Sequence, residues 1–377
     1  MLDSIVISLA DKALQQLEHQ GFIKGGHNGP YFDPETPVRN TAHWATTFAI
    51  LLKRTGDEKY RQAVAACINY LKSQAARPMN SAFHCRTSVR KDFSNGTIGQ
   101  AWAIEGLVSG YQVLGDESCL QLAEETFLLH VFDERMKIWK IRNVDGSLRD
   151  FDMTFNHQLW LAAAGYVLLS VRENETIRRQ CDAFMGDLPL RLRVYRNGLI
   201  KHDLINTPTA VKKLKSKVDA VMQAYRLKKA GKTKQYKENG YHLFNVYAFA
   251  LIKEYGGNDD FLGLPAFEQA LAYCVTDELL GWQEEANRAM DYNNMKGVTH
   301  DEINIYGYGY NAPGFELPYI AKVFGNLLPS LEATAATAIN KQLEYTYNQK
   351  IDSFANNTED ANTLNARIYE YVRSWRS

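Results

Sequence analysis

Apolar positions along this chain recur with the period of helices, and the helices they predict come in pairs of unequal character. The first member of each pair is apolar nearly all round, as in Phe155-Asn156-His157-Gln158-Leu159-Trp160-Leu161-Ala162-Ala163-Ala164-Gly165-Tyr166. The second carries one polar face, as in Glu58-Lys59-Tyr60-Arg61-Gln62-Ala63-Val64. A helix apolar on every side is buried, whereas one with a polar stripe lies at the surface. The pairs therefore predict an inner and an outer layer. They fall at 42–54 with 58–74, 97–113 with 117–131, 154–170 with 174–186, 241–255 with about 265–279, and 314–327 with 330–349. A lone helix is expected over 3–20 and another over about 360–375.

Two of the pairs share a phrase at the bend: Thr55-Gly56-Asp57-Glu58 and Leu114-Gly115-Asp116-Glu117. Paired helices repeating at this spacing mean stacked hairpins in a solenoid or a closed ring. The unpaired helices at the two ends can pack together as a sixth pair, and a ring of six needs no capping repeat. The pattern thus predicts an all-α fold, an (α/α)6 toroid formed by one domain over residues 1–377. Long polar connections at 76–96, 132–153, 187–240 and 281–313 all precede inner helices. They should gather at one mouth of the ring, where long loops usually carry function.

Charge narrows the partners. The chain has 43 basic and 43 acidic residues, so no global field points to nucleic acid or to a membrane surface. One segment departs from this balance. Within an insertion at about 205–240, the stretch from Val211 to Glu238 holds nine lysines and one arginine against Asp219 and Glu238. It reads as a solvated helix, as a flap that draws an acidic ligand to the mouth, or as a contact for a membrane surface; it lacks the interleaved aromatics of a nucleic-acid surface. The start, with Asp3 inside a short apolar run, does not read as a signal peptide. No segment reaches the roughly 20 apolar residues of a membrane span, and five cysteines are scattered without CxxC spacing. A cytoplasmic protein is expected. Its 21 tyrosines and 6 tryptophans suggest rings available to a sugar face as well as to the core.

Candidate chemistry lies where polar residues begin an apolar helix. These are Asn40 and His43 beside Trp44, then His84, Arg86, Asp92 and Gln100, then Asp152, Asn156 and His157, then Tyr241, His242 and Asn245, and finally Tyr310, Asn311 and Glu316. In a ring of hairpins the inner N-termini converge on one cavity, and their unpaired N–H groups favour an anionic ligand. Asp152 reads either as an N-cap for the helix that follows it or as a catalytic carboxylate. Asp92 reads either as part of an Asx turn or as its partner. Two carboxylates opposed in a partly dry pocket acquire divergent pKa values, as acid and base steps on a sugar require. There is no HExxH, GxSxG, GxxxxGK[ST] or GxGxxG, so neither a metal nor any other cofactor is expected.

The string Asp152-Met153-Thr154-Phe155-Asn156 followed by Leu159-Trp160-Leu161-Ala162 resembles that of unsaturated glucuronyl hydrolases and their rhamnogalacturonyl relatives. Asp92 stands where that family has its other essential aspartate, and Trp44 through Tyr60 is similar to its first repeat. The likeness lies in the first half of the chain. It implies an (α/α)6 barrel without a metal, in which Asp92 and Asp152 act as acid and base. One protonates the vinyl ether of a 4,5-unsaturated uronic acid while water is activated to hydrate it, after which the sugar linkage collapses.

The leading expectation is therefore a glycosidase-like enzyme on a uronic-acid-containing saccharide. Asp92 and Asp152 would do the chemistry. His157, His242, Arg86 and Asn156 would orient the sugar and its carboxylate, and Trp44 and Trp102 would stack on its rings. A second reading keeps the toroid for epimerisation or β-elimination, with His157 or His242 as base and Tyr310 as acid. A third is a non-catalytic saccharide-binding protein in surface-polysaccharide production.

Overall fold

The computed structural model describes residues 1–28, 32–89, 91–204, 234–289, 304–306 and 311–375, with side chains in the helix from 234 described from Lys237 onward. Among them the helices are α1 (Leu2–Gln20), α2 (Val38–Thr55), α3 (Glu58–Leu71), α4 (Ile98–Leu114), α5 (Glu117–Leu128), α6 (Phe155–Leu169), α7 (Glu175–Gly186) and α8 (Leu188–Arg191). They continue as α9 (Lys234–Glu254), α10 (Pro265–Tyr273), α11 (Asp277–Ala286), α12 (Pro313–Phe324), α13 (Ser330–Thr346), α14 (Ala361–Ala366) and α15 (Ile368–Val372).

The bend phrase has a plain physical basis. Gly56 and Gly115 end α2 and α4 in the left-handed region at φ 69° and 67°, where a side chain would be strained. Their N–H groups return to Leu52 and Tyr111 carbonyls at 2.8 Å. Asp57 and Asp116 then cap α3 and α5, accepting from Lys59 N and Ser118 N at 3.0 Å. One tripeptide thus stops one helix and starts the next.

The ring closes as the pattern predicts. α2 packs on α4, α4 on α6, α6 on α9, α9 on α12, α12 on α15, and α15 back on α2. α3, α5, α7, α10 and α13 sit against these from outside. Close approach between inner helices depends on small residues: a Cβ on Gly106 would lie 2.9 Å from Ala42 Cα. The chain ends complete the sixth pair, since Asp3 of α1 accepts from the Tyr371 hydroxyl at 2.7 Å and from Trp375 Nε1 at 3.0 Å.

Several boundaries differ from the pattern. The outer helix expected over 265–279 breaks after Tyr273, and α11 restarts where the Thr276 hydroxyl accepts from Leu279 N. The helix expected to 349 stops at Thr346, and a two-stranded hairpin of Tyr347–Asn348 and Ser353–Phe354 follows. The C-terminal helix is divided at Arg367. The connection 132–153, expected to be structureless, is an antiparallel sheet of β1 (Phe132–Asp133), β2 (Ile138–Arg142) and β3 (Leu148–Phe151). Trp139 anchors it, buried between Phe127, Phe132 and Phe184. Of the basic insertion, 205–233 lies outside the described residues, and 234–240 forms the start of α9. No described helix is long and apolar enough to cross a membrane.

Candidate active site

At one mouth of the ring a cleft enclosing about 300 Å³, counting its open side, is lined by Arg39, Ile98, Trp102, Asn156, His157, Tyr241, Phe244, Asn311 and Arg367. These residues come from α2, α4, α6 and α9 and from the residues just before α12 and α15. Three aromatic faces, two amides, one imidazole and two guanidinium groups meet there. Such a mixture of apolar faces and convergent polar groups suits a sugar.

The most organised corner lies at the start of α4. Asp152 Oδ2 accepts from Thr97 N at 3.0 Å and meets His157 Nδ1 at 2.8 Å, while Oδ1 accepts from Thr154 N at 3.3 Å. Asp152 therefore caps the neighbouring inner helix as well as bonding ahead of its own. Next to it, Asp92 Oδ1 accepts from Gly96 N at 2.6 Å and from the Ser94 hydroxyl at 3.0 Å, and Oδ2 pairs with Arg86. The two carboxylates thus grip consecutive N–H groups at the positive end of one helix. Gly96 makes room for them. It has φ 60°, and a Cβ there would collide with Asp152 Oδ2 and lie 2.7 Å from His157 Nδ1.

Burial alone would raise both carboxyls. For Asp92 it is outweighed by the Arg86 guanidinium, the Gly96 N–H and the Ser94 hydroxyl, and for Asp152 by His157 and the Thr97 and Thr154 N–H groups. Both fall below their ordinary value, so both are ionised at neutral pH. The divergence expected of an acid and base pair is absent, because each carboxylate has its own set of donors.

The remaining expected site residues divide clearly. Asn156, His157 and Trp102 line the cleft. Arg86 is committed to Asp92 and, at 2.9 Å, to Asn95 Oδ1. Gln100 is buried and pins the preceding loop, accepting from Phe83 N at 2.7 Å and donating to Phe83 and Ser94 carbonyls. His84 packs edge-on to Phe93, and burial lowers its pKa. Trp44 is buried against Phe48 and is not among the cleft residues, because its position on α2 points into the helix layer. His242 is also removed from the cleft: Nδ1 accepts from Ile200 N and Nε2 meets the Ala270 carbonyl at 3.0 Å. Its burial lowers the pKa to about 4, which makes it a neutral structural group. Asn245 donates to the Tyr241 carbonyl at 2.8 Å. Tyr310 lies outside the described residues.

Below the cleft, His43 is fully buried, stacked at 4.0 Å on Tyr369 and edge-on to Trp102. Desolvation, then Arg39, Arg367 and Arg373, hold it neutral. Glu316 pairs with Arg367 at 2.8 Å; burial, opposed by that guanidinium, raises it to about 7. Arg367 also pairs with Glu370, and Arg39 with Glu35. Arg39 and Arg367 were not expected. The legible signal for the first was Glu35, four residues ahead of Arg39 at the entrance of an apolar helix; Glu316 and Arg367 are brought together by the packing of α12 on α15. No group of three or more histidine, cysteine, aspartate or glutamate side chains among the described residues is arranged to hold a metal ion.

The chain is 32% identical over 381 residues to archaeal glycosylation protein Q of Haloferax volcanii, covering 99% of this chain and 97% of that protein. No protein-family model matches it. Among solved structures it is similar to a sugar epimerase from a ruminal bacterium, with TM-score 0.62, 13% identity, and coverage of 99% of this chain and 98% of that one. It is also similar to the unsaturated glucuronyl hydrolase of Bacillus sp. GL1, described as responsible for the degradation of glycosaminoglycan, with TM-score 0.60, 13% identity, and coverage of 98% and 95%. At such identities these two show the fold, an (α/α)6 toroid.

Proposed function

Because this chain belongs to the family of archaeal glycosylation protein Q, we propose that it is a saccharide-processing enzyme in which His157, held by Asp152, moves a proton on a bound sugar. The observation that carries this reading is the His157 ring: it lines the cleft while its Nδ1 is taken by Asp152. That leaves Nε2 as the nitrogen a ligand can meet. An ionised carboxylate on Nδ1 fixes the tautomer, and it stabilises the imidazolium formed when Nε2 accepts a proton. The sugar ring would lie against Trp102, Tyr241 and Phe244.

Two ionised aspartates offer no ready proton donor, which favours abstraction and return of a proton over hydrolysis. In that reaction Nε2 takes the proton from the carbon next to the sugar carbonyl. The C–H electrons pass into an enediolate, and the imidazolium gives the proton back, either to the same carbon once the enediolate has turned its other face to Nε2, or to the former carbonyl carbon as the enediol hydroxyl proton passes to that carbon's oxygen. The toroid neighbour described as a sugar epimerase accords with this class. The hydrolytic reading, on a uronic-acid-containing and 4,5-unsaturated saccharide, is favoured by one specific observation: Asp92 and Asp152 stand side by side on consecutive N–H groups.

Proton NMR in D2O separates them. Wild-type protein incubated with hexoses and hexuronates should place deuterium next to the carbonyl carbon. His157→Gln and Asp152→Asn should each slow this by about 10² to 10⁴. Cleavage of an unsaturated uronyl disaccharide without any deuterium incorporation would replace this reading with the hydrolytic one.

A further inference from the structure

Beneath the cleft, where α15 packs on α2 and α2 on α4, the interior of the ring is polar. Trp102 Nε1, both ring nitrogens of His43, the Tyr369 hydroxyl, both carboxyl oxygens of Glu105, and Arg373 Nε and Nη1 are buried there, and none of these eight atoms has a hydrogen-bond partner. Buried polar groups are rarely left so, and each exception needs a cause. The five side chains form one seam. His43 stands edge-on to Trp102 and stacks on Tyr369, the Arg373 guanidinium carbon lies 5.5 Å from the centre of the Tyr369 ring, and Arg373 Nη2 faces Glu105 Oε1 at 3.5 Å. Donors and acceptors are mixed along it. Trp102 and Arg373 only donate, an ionised Glu105 only accepts, and neutral His43 and Tyr369 do both. An ion of either sign would satisfy one half of the seam and be repelled by the other. Water satisfies both, and a buried water makes about three such bonds.

From this geometry we infer that a file of bound water threads the seam and carries protons between the floor of the cleft and the opposite face of the ring. Its upper end is Trp102, which lines the cleft. Its lower end lies close to solvent. Lys322, in the last turn of α12, donates to the Arg373 carbonyl at 3.0 Å and pairs with Glu254 at 2.9 Å. One turn further along α2 and α4 than His43 and Glu105, the Thr46 and Ser109 hydroxyls meet at 3.0 Å and remain 5% and 7% exposed.

Each transfer along the file is balanced. His43 takes a proton on one nitrogen and releases one from the other, and Glu105 takes one on one oxygen and gives one up from the second. One proton therefore enters at one end for each that leaves at the other. Arg373 keeps its charge and orients the water. Burial raises Glu105 against the opposing Arg373, so its carboxyl holds a proton more readily than an exposed one. The inference rests on the proton-moving reading of the cleft and adds the route by which that proton reaches solvent while a sugar covers the mouth.

Two measurements on the full chain test it. With histidine labelled by heavy nitrogen, the His43 ring N–H is identified by NMR from its loss in His43→Gln. It should exchange with solvent faster than the ring N–H of His242, which is also buried but meets the Ala270 carbonyl. Glu105→Gln keeps the size and the contacts to water but carries no proton, so it should slow His43 exchange by about tenfold. Exchange through local unfolding would instead quicken, because that variant leaves Arg373 without its counter-charge. Thr46→Val removes one hydroxyl at constant shape and should also slow exchange; it decides the matter if Glu105→Gln does not fold. The second measurement follows a sugar deuterated next to its carbonyl carbon and turned over in ordinary water, where Glu105→Gln should return severalfold more deuterium to the product than wild type does. A His43 N–H as protected as that of His242 would overturn the passage and leave the proton reading standing. Exchange that neither variant slows, or a returned fraction that Glu105→Gln leaves unmoved, would do the same. Rapid exchange slowed by Glu105→Gln, in a protein that moves no deuterium on any sugar, would uphold the passage and overturn the proton reading.

Discussion

Gly96 concentrates the demands of the site on a single residue. Its φ of 60° is costly for any residue with a Cβ, and the atom would strike the Asp152–His157 pair. Gly96→Ala is expected to lower stability by about 1 to 3 kcal/mol through backbone strain. It should also reduce turnover beyond what the stability loss explains. Urea midpoints beside the rate of deuterium incorporation check this; an alanine variant with wild-type rate would show that the dyad tolerates displacement. Sequence reasoning singled out Asp92, Asp152, Asn156, His157 and Trp102 because each is polar or aromatic at or just before the entrance of an apolar helix. It could not foresee that Arg86 would be spent on Asp92, or His242 on two backbone groups. Those assignments depend on which chain segment lies opposite.

At the scale of the element, the repeated Gly-Asp-Glu bend is local chemistry, and so it was legible. Each aspartate satisfies an N–H that its helix would otherwise leave unpaired. Asp57→Ala and Asp116→Ala should each cost about 1 kcal/mol, as lost N-caps do. The caps belong to different hairpins, so the two losses should add in the double variant. Urea denaturation with an unchanged m-value would verify it, and a double variant no worse than either single would refute independent hairpins. The sheet formed by β1 to β3 was missed because its strands are short and flanked by polar residues. What makes it a sheet is burial of Trp139 against Phe127 and Phe184, both outside the segment.

For the whole molecule, the closed ring buries charge along its axis, and this sets how stability responds to pH. Glu35 and Glu316 have folded pKa values raised from 4.5 to about 8 and about 7. The folded state therefore holds more protons than the unfolded one between 4.5 and 8, and their contribution is lost as pH rises through that window. Histidines act in the opposite sense at lower pH. Burial lowers His130 and His242 from 6.5 to about 4, and His43 falls as well, so acidification from 6.5 toward 4 favours unfolding. Above 6.5 only the glutamates of this group still titrate. The unfolding midpoint is thus expected to fall between pH 6.5 and 8.5, and Glu35→Gln should flatten that slope. A flat wild-type profile across this range would contradict it.

The periodicity of apolar residues was enough to determine the inner and outer helices, their bends and the closure into six pairs. Those features follow from burying one face of each helix and from caps only a few residues long. The site was decided by tertiary structure. Arg39 meets Trp102 because α2 packs on α4, and Glu316 meets Arg367 across 51 residues of sequence because α12 packs on α15. Contacts of that kind leave no period in the chain, since they depend on where separate helices end once the ring has closed.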